Sequence, residues 1–68
     1  MDRIVLFGVM PDQPDRMVIL CESGDADKRY ALHLCRVWGK GYTYVETVTE
    51  CDEKDKALER YNYWRFGI

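Results

Sequence analysis

Two runs of apolar, largely β-branched residues stand either side of one breaker segment, and that arrangement limits the first third of the chain to a hairpin. Arg3-Ile4-Val5-Leu6-Phe7-Gly8-Val9-Met10 precedes Pro11-Asp12-Gln13-Pro14-Asp15, and Arg16-Met17-Val18-Ile19-Leu20-Cys21-Glu22 follows it. Runs of this length and composition read as strands. The lack of polar alternation in the first predicts a strand buried on both faces. Prolines and aspartates set up the turn, with a loop of about five residues.

The middle of the chain reads as a helix. Ser23-Gly24-Asp25 supplies N-cap chemistry, and Asp25 and Asp27 sit where the helix dipole favours acids. Tyr30, Ala31, Leu34, Val37 and Trp38 recur at i, i+1, i+4, i+7 and i+8, one helical face, which predicts a helix over 26–38 ended by Gly39 and Gly41. On such a helix Arg29, His33, Arg36 and Lys40 line a basic stripe opposite the apolar face, and Leu32 lies exposed beside it.

Tyr42 to Glu50 is nearly all strong strand formers. Beyond it, Asp52 is placed to cap a helix from about residue 52 to Tyr61, followed by an extended aromatic tail. Tyr61 to Phe66 also reads as a strand, with 52–56 as a hairpin loop. The expected class is therefore α+β: a small antiparallel sheet with one main helix on one face, in the order β-β-α-β plus a C-terminal helix or strand.

At 68 residues the chain is a single domain, 1–68, with no repeat or linker. A chain this short buries only about 60% of the surface it exposes when unfolded, so its core is thin unless a partner covers part of it. Aromatic residues make up 13%, more than so small an interior holds, and part of that surface is expected to face outward as binding surface. Three cysteines, Cys21, Cys35 and Cys51, are an odd number, and no secretory signal precedes them. Reduced thiols in a cytoplasmic protein follow as the expectation. No apolar run approaches the ~18 residues that span a membrane.

Catalytic chemistry finds little to work with. Ser23 and His33 are the sole serine and histidine, and on a helix His33 and Cys35 diverge by roughly 200°. Cys21, His33, Cys35 and Cys51 match a Cys₃His zinc set in composition only, without a Cys-x₂-Cys knuckle. The cysteines read better as small core residues. Gly39 and Gly41 follow an expected helix and present no row of N–H groups to a phosphate. The expectation is a non-enzymatic protein with no cofactor and no metal.

Charge is more informative. The net value of −2 divides unevenly: over residues 24–45 Lys28, Arg29, Arg36 and Lys40 outweigh Asp25 and Asp27, whereas over residues 46–59 Glu46, Glu50, Asp52, Glu53, Asp55 and Glu59 outweigh Lys54 and Lys56. Carboxylates spaced along a strand and loop can imitate a phosphate backbone. The ordinary alternative is solubilising surface charge. Tyr61 and Tyr63 serve either as core or as an aromatic anchor for a partner, while Trp64 and Phe66 read as core.

The β-β-α-β order, with the acidic turn Cys21 to Asp27 opening an amphipathic helix Tyr30 to Trp38 and the glycine-headed strand Gly41 to Val48 following, resembles tiny phage-encoded inhibitors of host machinery, of the anti-CRISPR and RNA-polymerase-inhibitor kinds. The resemblance covers about half the chain and is one of pattern. It implies a non-catalytic protein that blocks a host protein or protein–nucleic-acid complex by steric and electrostatic occlusion, through Glu46, Glu50, Asp52, Glu53 and Asp55 or through Tyr61 and Tyr63. A nucleic-acid-binding regulator using Arg29, His33, Arg36 and Lys40 is the alternative, and a homodimer that completes its thin core is the third.

Overall fold

A computed structural model describes residues 3–23 and 29–67. Among these residues four strands, β1 (Arg3–Met10), β2 (Gln13–Glu22), β3 (Tyr30–Trp38) and β4 (Gly41–Cys51), form one antiparallel sheet in chain order, and one helix, α1 (Lys54–Phe66), follows. The α+β class holds. The expected β-β-α-β order does not, because the helix comes last.

The hairpin β1–β2 forms where the apolar runs place it, but the turn is shorter than expected. Only Pro11 and Asp12 make it, and β2 begins at Gln13. Pro14 is tolerated because it precedes Arg16, where pairing with β3 begins, so its missing N–H interrupts no ladder on that side. β1 is an edge strand and is not buried on both faces: Ile4, Leu6, Phe7 and Val9 are all exposed. The strand buried on both faces is β2, where Met17 to Leu20 are four buried residues in succession.

The largest correction is β3. Residues 30–38 are strand, not helix, while the expected N-cap residues Gly24, Asp25 and Asp27 lie outside the described residues. The segment satisfies both periods. Its apolar positions fit a helical face, yet Tyr30, Leu32 and Leu34 also alternate with Ala31, His33 and Cys35. Pairing decides the matter, since β3 hydrogen-bonds β2 along one side and β4 along the other. Leu32, expected to be exposed, is instead 1% exposed. Gly39 and Lys40 form a two-residue hairpin turn closed by the Trp38–Gly41 pair, and Gly39 takes φ 48°. Glycine at the first central position is what such a hairpin turn asks for.

α1 also departs from expectation. Glu53, not Asp52, is its N-cap residue, and the helix runs on through the aromatic tail to Phe66. Gly67 ends it in the left-handed conformation (φ 79°), its N–H donating to Tyr63 O at 2.9 Å. The spacing Ala57, Tyr61, Trp64 puts one stripe against the sheet, where Val18, Leu20, Tyr30, Leu32 and Leu34 meet it. Gly8 matters at the far end. It is buried beneath the Arg65 guanidinium, which a β-carbon there would strike, and Arg65 Nε donates to Val9 O at 3.1 Å.

At the end of the sheet where Arg3, Glu22 and Tyr30 lie side by side, Glu22 accepts from Arg3 and from Tyr30 Oη at 3.1 Å. Tyr30's hydrogen bond and then Arg3's charge hold the Glu22 carboxyl below its ordinary value, against the opposing effect of burial. Burial, and then Glu22, push the Tyr30 phenol up. A depressed carboxylate contributes stability that is present above its ordinary value and lost as pH falls through its folded value. A raised phenol contributes stability present below its ordinary value and lost as pH climbs through its folded value. The pair therefore supports the fold across the neutral range and fails at both ends. Urea midpoints of wild type and Glu22→Gln should differ at neutral pH and converge in acid; a gap that persists there would show that the carboxylate charge is not involved.

Candidate functional site

α1 covers one face of the sheet, and no element among the described residues covers the other. Register places Phe7, Ile19, His33 and Thr47 in one row across that bare face, with Val9, Met17, Cys35 and Tyr44 in the next. Ile4, Cys21, Ala31 and Glu50 form a third row, and Tyr42 lies opposite Val37. Antiparallel sheets with a wet face normally alternate apolar-in with polar-out. This one does not. In those rows Glu50 is the single acid and no lysine or arginine occurs; Asp15, two residues before Met17, and Lys40, which lines a hollow with Val9, Met17, Val37 and Tyr42, stand at the opposite end of the face.

The face has an internal structure. Met17, Ile19 and Cys35 are buried in a second small core, shielded by side chains that are themselves left in water. Phe7 is 61% exposed, Tyr44 56% and Tyr42 49%. Ile4, Phe7, Met17, Ile19 and Tyr42 line a hollow of about 130 Å³. Water entering it would find too few polar partners to be held well. Beside it sits a small polar network: Tyr44 Oη lies 2.9 Å from Thr47 Oγ1, which lies 2.9 Å from His33 Nδ1. The His33 and Tyr44 rings meet edge to face at 5.4 Å.

This geometry changes the reading of His33 and Cys35. A strand puts residues two apart on the same face, so they do not diverge as a helix would make them. Cys35 is nonetheless 2% exposed, and burial pushes its thiol up, away from the thiolate that attacks substrates or binds metal. No disulfide joins Cys21, Cys35 and Cys51, and among the described residues no group of three or more His, Cys, Asp or Glu is placed to hold a metal ion.

The basic stripe is dissolved by the same change of period. Arg29 precedes β3, His33 lies on the open face, Arg36 on the helix side, and Lys40 in the hairpin turn. In its place stands a pair that helical spacing could not show: Arg36 directly opposite Arg16 on β2, both exposed and neither in an ion pair among the described residues. They flank a cavity of about 130 Å³ with Leu34, Cys35 and Val45. Trp38 follows on the same face of β3, 58% exposed, its Nε1 donating to Thr43 Oγ1 at 2.6 Å.

The acidic residues divide between surfaces. Glu46 stands opposite Leu34 on the helix side and Glu50 opposite Ala31 on the open side. Asp52, Glu53 and Asp55 gather at the start of α1, all exposed, with Glu53 3.8 Å from Lys56. Tyr61, considered as a partner anchor, is 1% exposed and belongs to the core, whereas Tyr63 and Phe66 face outward at 58% and 47%. Sequence reasoning missed the open face altogether. Its signal was present in the apolar residues on both parities of Arg3–Met10 and Arg16–Glu22. No helix is long and apolar enough to cross a membrane among the described residues. No protein-family model, curated protein or solved structure matches the chain.

Proposed function

We propose that this chain is a non-catalytic binding protein that docks onto another protein chain through the open face of its sheet. The observation that carries the reading is the exposure of Ile4, Phe7, Val9, Tyr42 and Tyr44 together on a face whose carboxylates and lysine, Glu50, Asp15 and Lys40, stand at its ends. Monomeric soluble proteins rarely leave so continuous an apolar surface in water, and aromatic residues dominate the energetics of interfaces. Burying a half-exposed Phe or Tyr contributes about 1–2 kcal/mol each, enough for specific association once several act together.

The narrower reading, an inhibitor that occludes a host nucleic-acid-handling complex, draws its support from the exposed carboxylates Asp52, Glu53 and Asp55 and from small size. The element order that suggested the likeness to phage inhibitors is not the order of this fold. A nucleic-acid contact draws on a different observation, Arg16 and Arg36, in no ion pair among the described residues, on the same face as exposed Trp38: phosphates suit the arginines and a base suits the indole.

One experiment separates these. Tagged wild type and a Phe7→Lys, Tyr44→Lys variant are used to capture proteins from a bacterial lysate that also holds the untagged chain, with and without nuclease. A nuclease-resistant protein held by wild type and lost by the folded variant is the expected result. Equal capture by both would remove the open face from the function, and capture abolished by nuclease would transfer the function to Arg16 and Arg36.

A further inference from the structure

We infer that the occupant of the open face is a second copy of this chain, packed sheet against sheet about a two-fold axis. The inference rests on the reading of that face as a docking surface and names its partner.

Size comes first. Strands of 8 to 11 residues in a four-stranded sheet cover roughly 600 Å² of flat surface at ~3.3 Å per residue and ~4.8 Å per strand. Two such faces pressed together bury about 1,200 Å² or more, the lower end of the range for stable interfaces. The molecule measures 34 × 27 × 16 Å, a two-layer slab whose broad side is this face. Doubling it gives a helix–sheet–sheet–helix stack with sheets ~10 Å apart, the ordinary spacing of packed sheets.

Charge comes second. A two-fold interface sets each residue against its own kind of surface, so like charges on the face would repel. This face has Glu50 near one end and, at the other, Asp15 on the parity of Met17 and Lys40 beside Val9, Met17, Val37 and Tyr42, with no carboxylate, lysine or arginine in the two rows between. A copy of itself is therefore a complementary partner, whereas strongly charged partners are matched better by the acids at the start of α1 or by Arg16 and Arg36. The polar groups present are compatible with burial. Tyr44, Thr47 and His33 already hydrogen-bond one another, which limits the penalty of removing them from water.

The edges favour the face as the meeting place. β4 skips Val48 and Val45 in its pairing with β3, and β1 skips Val5 in its pairing with β2. Bulges of this kind bend an edge away from regular pairing with another chain. What the edges discourage, the flat apolar face permits. The hollow lined by Ile4, Phe7, Met17, Ile19 and Tyr42 would be filled from the facing copy.

Sedimentation equilibrium of the full chain tests this directly. Wild type is expected near twice 8.1 kDa, and Phe7→Lys near the single mass. The two-fold makes each substitution count twice, so dimerisation should weaken on the order of 1,000-fold. Because Phe7 is exposed in the single chain, the variant should keep the wild-type far-UV circular dichroism, and Tyr44→Lys provides an independent second variant. Wild type at the single mass up to about 1 mM, weaker than any specific interface of this size, would overturn the inference. So would a variant that remains dimeric. A monomeric wild type that still loses its lysate partner on Phe7→Lys, Tyr44→Lys substitution would overturn the second copy while leaving the docking face standing.

Discussion

Leu32→Lys is expected to leave the chain unfolded at 25 °C. Leu32 is 1% exposed, paired between Leu20 and Thr49 and packed in the cluster that holds Ala57 and Tyr61. An ammonium group there would have to be buried without a partner or neutralised, a penalty of several kcal/mol. Domains of this size have roughly 5 kcal/mol to lose. Far-UV circular dichroism and a urea titration would read the result. The substitution also separates the two readings of residues 30–38. On a helix Leu32 would face solvent, and lysine there would change stability by no more than about 0.5 kcal/mol. A Leu32→Lys chain with wild-type spectrum and urea midpoint would therefore refute the strand.

Tyr61→Ala has the next largest expected effect, a loss of about 3–5 kcal/mol. Tyr61 is the largest fully buried side chain and stands at the middle of the contact between α1 and the sheet. Its removal leaves a cavity under a helix of 13 residues that is too short to be stable by itself. Tyr61→Phe keeps the ring and loses the hydroxyl that accepts from Arg65 Nη1 at 3.3 Å, a long bond whose loss should amount to about 1 kcal/mol or less. Urea midpoints of the two variants should thus be widely separated. Equal midpoints would mean that the ring is not what seals the core.

These two residues mark where reading from sequence succeeded and where it did not. Tyr61 was open to two roles because an aromatic residue with polar hydroxyl suits both a core and an interface. Its distance from Ala57, four residues on a helix, decides for the core once the helix is known to continue through Trp64. Leu32 was misplaced because the segment Tyr30 to Trp38 carries two hydrophobic periods at once. The candidate basic stripe fell with it, since Arg29, His33, Arg36 and Lys40 share a side only at 3.6 residues per turn. The pairing of Arg16 with Arg36 and the His33–Thr47–Tyr44 network join residues 14 to 20 apart or brought together by bulged register, and no local pattern encodes such neighbours.

The sequence by itself determined the first hairpin, the strand from Gly41 and the α+β class, because each depends on propensity and periodicity within a few residues. Tertiary structure alone decided that β3 is a strand, that β1 lies at an edge, and that the helix covers one face and not the other. Those outcomes depend on which segments compete for the same neighbours. β2 and β4 both needed a paired edge, and a strand at Tyr30–Trp38 satisfies both where a helix would satisfy neither. The apolar runs of β1 and β2 call for cover on two sides, and in a chain of 68 residues α1 supplies only one.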